Sequence, residues 1–271
     1  PPEATYTFKH ALVQEAAYGS LLKRTRQQLH GRVVDVLVAA FPERVAAEPE
    51  VVARHAEAAG RIDDAIASYQ RAGEQAQARS AHEEAIRHLH HAIALLAPPP
   101  EGAERDAREV VLQLAFGGSL MAARGFAHQD VGAAFERAQM LCEAVGDGRR
   151  LGLARVGLAV FSTTRGEVER ARTLAARVLT AAEQSGDREL ALHAHLQIAV
   201  PEHYQGKFGS SLAHCEAVRT LYEPGRHHGM VFVLVGDAGV GALSFGAADG
   251  GSTWLQADPD DAAARVAGGD S

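Results

Sequence analysis

Residues 233–244 read Val-Leu-Val-Gly-Asp-Ala-Gly-Val-Gly-Ala-Leu-Ser, an apolar run that leads into a G-x-x-x-x-G spacing between Gly236 and Gly241. A phosphate-cradling loop starts in this way. It then needs a lysine to reach the β- and γ-phosphates, followed by a hydroxyl residue to hold magnesium. Ala242 and Leu243 stand at those positions, so little beyond backbone donors is left for a polyphosphate, and a turn between helices is the expectation. Histidine is abundant at 14 copies. His88 and His91 are three apart, His193 and His195 two apart, with His203 and His214 further on. Zinc needs three or four converging ligands. A spacing of two does not share a helical face, and His82-Glu-Glu-Ala-Ile86 lacks the second histidine of H-E-x-x-H. Solvated or capping histidines are therefore expected. Cys142 and Cys215 lack redox or metal spacing, and Ser20, Ser68 and Ser244 lie outside any G-x-S-x-G. The pairs Asp63-Asp64 and Glu83-Glu84 suit helix starts, where acidic groups offset the positive end of the dipole. Lys23-Arg-Thr-Arg26 with Arg32 fits the exposed side of a helix whose other side carries Leu29, Val33, Val36, Leu37 and Phe41. These patterns predict no catalytic, cofactor-binding or metal-ligating residue, and hence no enzyme and no cofactor.

The elements that carry these residues follow from composition and periodicity. The chain has 271 residues, 46% hydrophobic but only 6% aromatic, with alanine supplying much of the apolar content. Wholesale disorder is excluded by that share, and alanine is the best helix former. A net charge of −7 argues against nucleic-acid binding through bulk positive charge. Two cysteines suit a reducing compartment. Pro1–His10 has no basic region ahead of an apolar stretch, so no signal peptide is expected. The run Met230–Val235 is far shorter than the roughly 20 residues of a spanning helix. A cytoplasmic location and no membrane partner follow. The opening without methionine predicts a piece of something longer.

Similar features return along the chain. Gly60-Arg-Ile-Asp-Asp-Ala65 is echoed by Ser80-Ala-His-Glu-Glu-Ala85, and each continues to an alanine twelve positions on, Ala72 and Ala92. Gly166 and Gly206 stand 40 apart, as do Gly146-Asp147 and Gly186-Asp187. Apolar positions then recur at helical spacing through Ala171, Leu174, Ala175, Val178, Leu179 and Ala182. Helix pairs that cannot bury an apolar stripe alone must stack on their neighbours. The prediction is an all-α solenoid of antiparallel helix pairs of tetratricopeptide-like form. Proline stops divide it into residues 1–42, 43–100, 101–230 and a frayed or partial last repeat at 231–271.

Three stretches carry a family resemblance. Tyr6-Thr-Phe-Lys-His-Ala-Leu-Val-Gln-Glu-Ala-Ala-Tyr-Gly-Ser-Leu-Leu22, with Arg26-Gln-Gln-Leu-His30, resembles the segment after the ATPase and winged-helix-like part of multidomain bacterial regulators. These are the adenylate/guanylate cyclase–ATPase–TPR proteins and related STAND-type activators. His55-Ala-Glu-Ala-Ala-Gly60 through Leu96 is similar to their first tetratricopeptide-like repeats, and Leu221 to His228 with Trp254 to Ala262 to a later one. Residues 246–252 depart from the continuous helix usual there. The resemblance implies a protein–protein interaction module, binding a partner protein or the parent's own ATPase domain on its concave face; the acidic charge balance predicts no direct nucleic-acid contact. Two other readings compete: a nucleotide-binding switch or enzyme using Gly236–Ser244, and a remnant of a disrupted gene.

Overall fold

A computed structural model describes residues 11–97 and 102–223, with Gly246 by itself beyond them; of residues 11–14 it fixes the backbone alone. The described residues form helices and no strand. They divide into two compact units between Ala72 and Gly73. The first unit holds α1 (Ala11–Ser20), α2 (Lys23–Ala40), α3 (Pro42–Ala47), α4 (Pro49–Ala59) and the start of α5 (Ile62–Ala78). The second holds the rest of α5, then α6 (His82–Leu96), α7 (Ala103–Arg124), α8 (Gln129–Val145), α9 (Gly148–Thr164), α10 (Val168–Ser185), α11 (Arg188–Tyr204) and α12 (Phe208–Leu221). The loop at Gly236–Ser244, the proline run at 98–100 and, apart from Gly246, the last repeat expected at 231–271 lie outside the described residues.

In the second unit each helix from α6 to α12 packs on the next, and α9 also packs on α7 and α11. The odd-numbered helices α7, α9 and α11 therefore form one continuous layer. Successive pairs lean on each other, as the lack of a self-sufficient apolar stripe requires. Five positions after the turns at Gly60, Ser80, Gly166 and Gly206 stands a small contact residue. Ala85, Ala171 and Ser211 have no exposed surface, and neither does Ala65 in the first unit. Ser211 takes the alanine's place with its Oγ buried and unpartnered among the described residues. Ser211→Ala is expected to raise the unfolding free energy by about 1 kcal/mol, since removing an unmet polar group removes its desolvation cost; urea titration followed by helical circular dichroism measures it.

The turns recur every 20 residues in backbone form as well as in sequence. Gly146, Gly166, Gly186 and Gly206 all hold φ between 71° and 77°. At Gly146-Asp147 and Gly186-Asp187 the glycine ends one helix in the left-handed region and the aspartate at once caps the next. Asp147 accepts from the Arg150 amide and Asp187 from the Leu190 amide, each at 3.0 Å. One helix is thus joined to the next through these two residues alone. Ser80 occupies the place of Gly60 and is the lone non-glycine at positive φ among the described residues, at 58°. A side chain there crowds the following carbonyl at about 1–2 kcal/mol. Ser80→Gly is expected to stabilise the chain by about 0.5–1 kcal/mol, the remainder being absorbed by glycine's greater freedom when unfolded. A rise in the thermal midpoint checks it.

The apolar side of α2 differs from the expectation. Leu29 is 44% exposed, Val36 55% and Phe41 52%, and Val34, not among the expected set, is the buried residue at 1%. The covered stripe runs through Gln27, His30, Gly31, Val34 and Leu37, which repeat at steps of three and four. Gly31 faces α4 within this stripe, and a Cβ there would lie at ordinary contact distance, 3.9 Å, from that of Ala59. Hydropathy favoured the larger residues, whereas packing on α4 covers the stripe centred on Val34. Pro42 does separate two helices. Phe41 closes α2, and the proline opens α3 at the position where its missing N–H is not needed.

Candidate functional site

An open groove of about 720 Å³ runs along α10 in the second unit. Its α10 wall is the face opposite the buried Ala171–Leu174–Ala175–Val178 stripe and extends from Arg172 through Arg177 and Thr180 to Gln184. At 1.5 Å per residue that wall is about 18 Å long. Arg155 enters from α9, Ile198 and Glu202 from α11, and His214 from α12. Four helices meet because the turns at Gly166, Gly186 and Gly206 fold consecutive helices back at a constant interval.

The groove concentrates unmet polar groups. Glu202 is 6% exposed, yet its Oε2 has no hydrogen-bond partner among the described residues. Arg155 donates through one terminal nitrogen to Glu143 at 3.1 Å, while its Nε is buried without a partner. Arg172 pairs with Glu169 at 3.3 Å. Arg177 is exposed and has no acidic partner among the described residues. A buried carboxylate oxygen without a donor costs free energy that a neighbouring donor recovers. The arrangement has cationic and anionic groups in one cleft but no nucleophile–base pair, and no group of three metal-ligating side chains occurs among the described residues.

His214, at the groove, meets His195 with their Nδ1 atoms 2.8 Å apart, so one ring donates and the other accepts. In the first unit His30 and His55 make the same contact at 2.7 Å. Solvated or capping histidines were the expectation; His128 does cap α8, but these four are paired across helices and are not fully exposed. Residues 19 or 25 apart meet only through packing, which no local spacing records. Burial, then the charge of His214, pushes His195 below the usual imidazole value, against a smaller opposing pull from Glu183. Burial likewise lowers His214, with Glu202 opposing. Burial, then His30 and Arg54, lowers His55. A histidine with a lowered folded pKa binds its proton more readily when unfolded. Stability is therefore complete above about pH 6.5 and declines as pH falls from there through the folded values. Urea midpoints at pH 7.5 and 5.5 are expected to show this fall, with the double variant His195→Gln, His214→Gln giving a flatter profile for the second unit.

The remaining candidates occupy structural positions. Asp63 and Asp64 lie in the first turn of α5, and Glu83 and Glu84 in that of α6. His88 approaches Glu84 at 3.6 Å and His91 is exposed, so the two do not converge on one site. His193 is buried at 5% exposure. Cys142 and Cys215 are buried free thiols; burial, then the charge of Asp147, pushes Cys142 up to about 11, far from the thiolate form that reacts. Lys23, Arg24 and Arg32 are exposed on α2, with Arg26 half-buried over the Tyr18 ring. Arg155, Arg172, Arg177 and Glu202 were not legible as a site, because residues from three helices carry no common spacing.

No protein-family model matches the chain. It is similar to an uncharacterised protein of Rhizobium meliloti (strain 1021), 29% identical over 138 residues. The match covers 51% of this chain but only 13% of that much longer protein. No helix among the described residues is long and apolar enough to cross a membrane.

Proposed function

We propose that the chain is a non-catalytic, tetratricopeptide-like module that docks a segment of a partner protein, or of its own parent's ATPase domain, in the groove along α10. The observation that carries this reading is the groove itself, an 18 Å wall of α10 (about 12 residues at 1.5 Å each) facing buried polar groups whose hydrogen bonds are incomplete. Stacked helix pairs offer long surfaces suited to extended ligands, and an extended segment supplies alternating N–H and C=O groups along its length. The opening segment's likeness to cyclase–ATPase–TPR and STAND-type regulators supports a regulatory setting, in which segment binding biases a neighbouring catalytic domain. The great length of the Rhizobium relative is in keeping with such a parent.

Peptide-array selection with the full chain tests the proposal. Selected peptides are expected to bind the chain and to lose binding when Thr180→Trp fills the groove, while Arg87→Trp on the exposed side of α6 leaves it unchanged. Failure to select any peptide, or selected peptides indifferent to Thr180→Trp, overturns the reading.

A further inference from the structure

We propose that the groove's occupant is an extended segment of mixed charge, in which an ammonium group meets Glu202 and a carboxylate about three residues away meets Arg177 and Arg155. This inference rests on the docking reading above and adds the chemistry of the partner. Glu202 is more than nine-tenths buried and lines the groove, and its Oε2, which has almost no accessible surface, receives no hydrogen bond among the described residues, so a donor in the groove meets it by turning the carboxylate outward. A cationic donor is the partner that best recovers the cost of removing that carboxylate from water, because charge-assisted hydrogen bonds are about twice as strong as neutral ones. Elsewhere in the lining, the buried Nε–H of Arg155 on α9 has no acceptor and Arg177 on α10 makes no ion pair among the described residues. A polyanion such as nucleic acid meets repulsion at Glu202 and from a chain of net charge −7. A purely cationic segment meets three guanidinium groups.

The spacing follows from the helix register. α10 and α11 run antiparallel about the Gly186-Asp187 turn. Counting equal steps either way from the turn sets Glu202 level with Ala171, six residues before Arg177. Six helical residues span about 9 Å, which an extended strand crosses in about three residues at roughly 3.3 Å each. The ammonium and carboxylate of a free α-amino acid are too close together to reach both walls at once. A lysine and a glutamate about three positions apart in a strand reach both.

The probe is a fluorescein-labelled Ser/Thr octapeptide with Glu and Lys three positions apart, made in both orders and titrated against the full chain by fluorescence anisotropy. One of the two orders is expected to bind at least tenfold more tightly than the same peptide with either charged residue changed to Gln. Glu202→Gln is expected to remove the advantage of the lysine alone, and Arg177→Gln that of the glutamate alone. Arg87→Gln, which makes the same change in net charge as Arg177→Gln but on α6, leaves both advantages in place. Each variant is scored by its ratio of affinities for paired peptides, and the exposed Arg177 serves as the test if Glu202→Gln lowers helicity. Equal affinity for mixed and singly charged peptides overturns the inference, as does a lysine preference that survives Glu202→Gln. Should singly charged or neutral peptides bind and be expelled by Thr180→Trp, the docking reading stands and the mixed-charge inference falls. If no peptide of either kind binds, both fall.

Discussion

Phe135→Ala is expected to lower the unfolding free energy of the second unit by about 3–5 kcal/mol, the usual cost of emptying a large buried aromatic site. Phe135 sits on α8 at 1% exposure, within the cluster that joins Leu120 and Met121 of α7, Leu158 of α9 and Leu174 of α10. Its ring fills space left by two glycines on flanking helices. A Cβ at Gly117 on α7 would lie 2.8 Å from the ring, and one at Gly157 on α9 would lie 2.5 Å from it. The single ring therefore ties three helices together through positions where any side chain is excluded. Gly157→Ala makes the complementary prediction. Alanine is favoured over glycine inside a helix by about 1 kcal/mol, yet the overlap with a fixed ring is expected to make the change destabilising by about 1–3 kcal/mol. Combining it with Phe135→Leu is expected to cost less than the sum of the two single changes, because the smaller side chain vacates the space the new methyl needs. Denaturant unfolding of the four proteins measures this coupling; additive losses would show that the ring and the glycine do not share that space.

Arg137→Leu is expected to destabilise by about 3–5 kcal/mol, because it leaves a buried carboxylate short of its main partner. Glu109 on α7 is 4% exposed and receives a two-pronged contact from Arg137 on α8, at 2.7 and 2.9 Å. Arg105 adds a contact at 3.3 Å and Gln113 a hydrogen bond at 3.3 Å. Burial alone pushes the Glu109 carboxyl up, but the Arg137 hydrogen bonds and charge, with Gln113 and Arg105, hold it below the ordinary carboxylate value of 4.5. A carboxyl lowered in the folded state contributes stability that is complete above that value and is lost as pH falls through the folded pKa. In Arg137→Leu the dominant support is gone and burial acts in the opposite sense, so the deficit against the parent chain is expected to shrink as pH is lowered through the carboxylate range. The double change Glu109→Leu, Arg137→Leu is expected to recover most of the loss, since an apolar pair leaves no unpaired charge. Urea midpoints across pH 4–7 for the parent and both variants decide the matter. A deficit in Arg137→Leu that ignores pH would show that Glu109 is not the group left in need.

Local signals were enough to mark the helix turns. Glycines recurring at a 40-residue interval, an aspartate beside some of them and a small residue five positions after others are short-range features with one physical purpose: to end a helix, cap the next and let two backbones approach. Gly186, Asp187, Ala171 and Ser211 perform those parts in the folded chain. The acidic pairs at 63–64 and 83–84 were legible for the same reason, because the helix dipole acts within a single turn. The face that α2 buries was not. Leu29, Val33 and Val36 outweigh Gly31 on any scale of hydropathy, but the choice between two stripes of one helix is made by packing on α4.

By itself, then, the order of residues determined an α-helical chain with regularly spaced turns, because helix propensity, capping and left-handed glycines are settled within about five residues of backbone. Tertiary structure alone decided which side chains meet. It set His195 against His214 and Arg137 against Glu109, and it brought Arg155, Arg177 and Glu202 to one groove from three different helices. Those meetings depend on helix rotation and separation, to which fits such as that of Phe135 against Gly117 and Gly157 contribute, and such long-range fits leave no periodic trace along the chain.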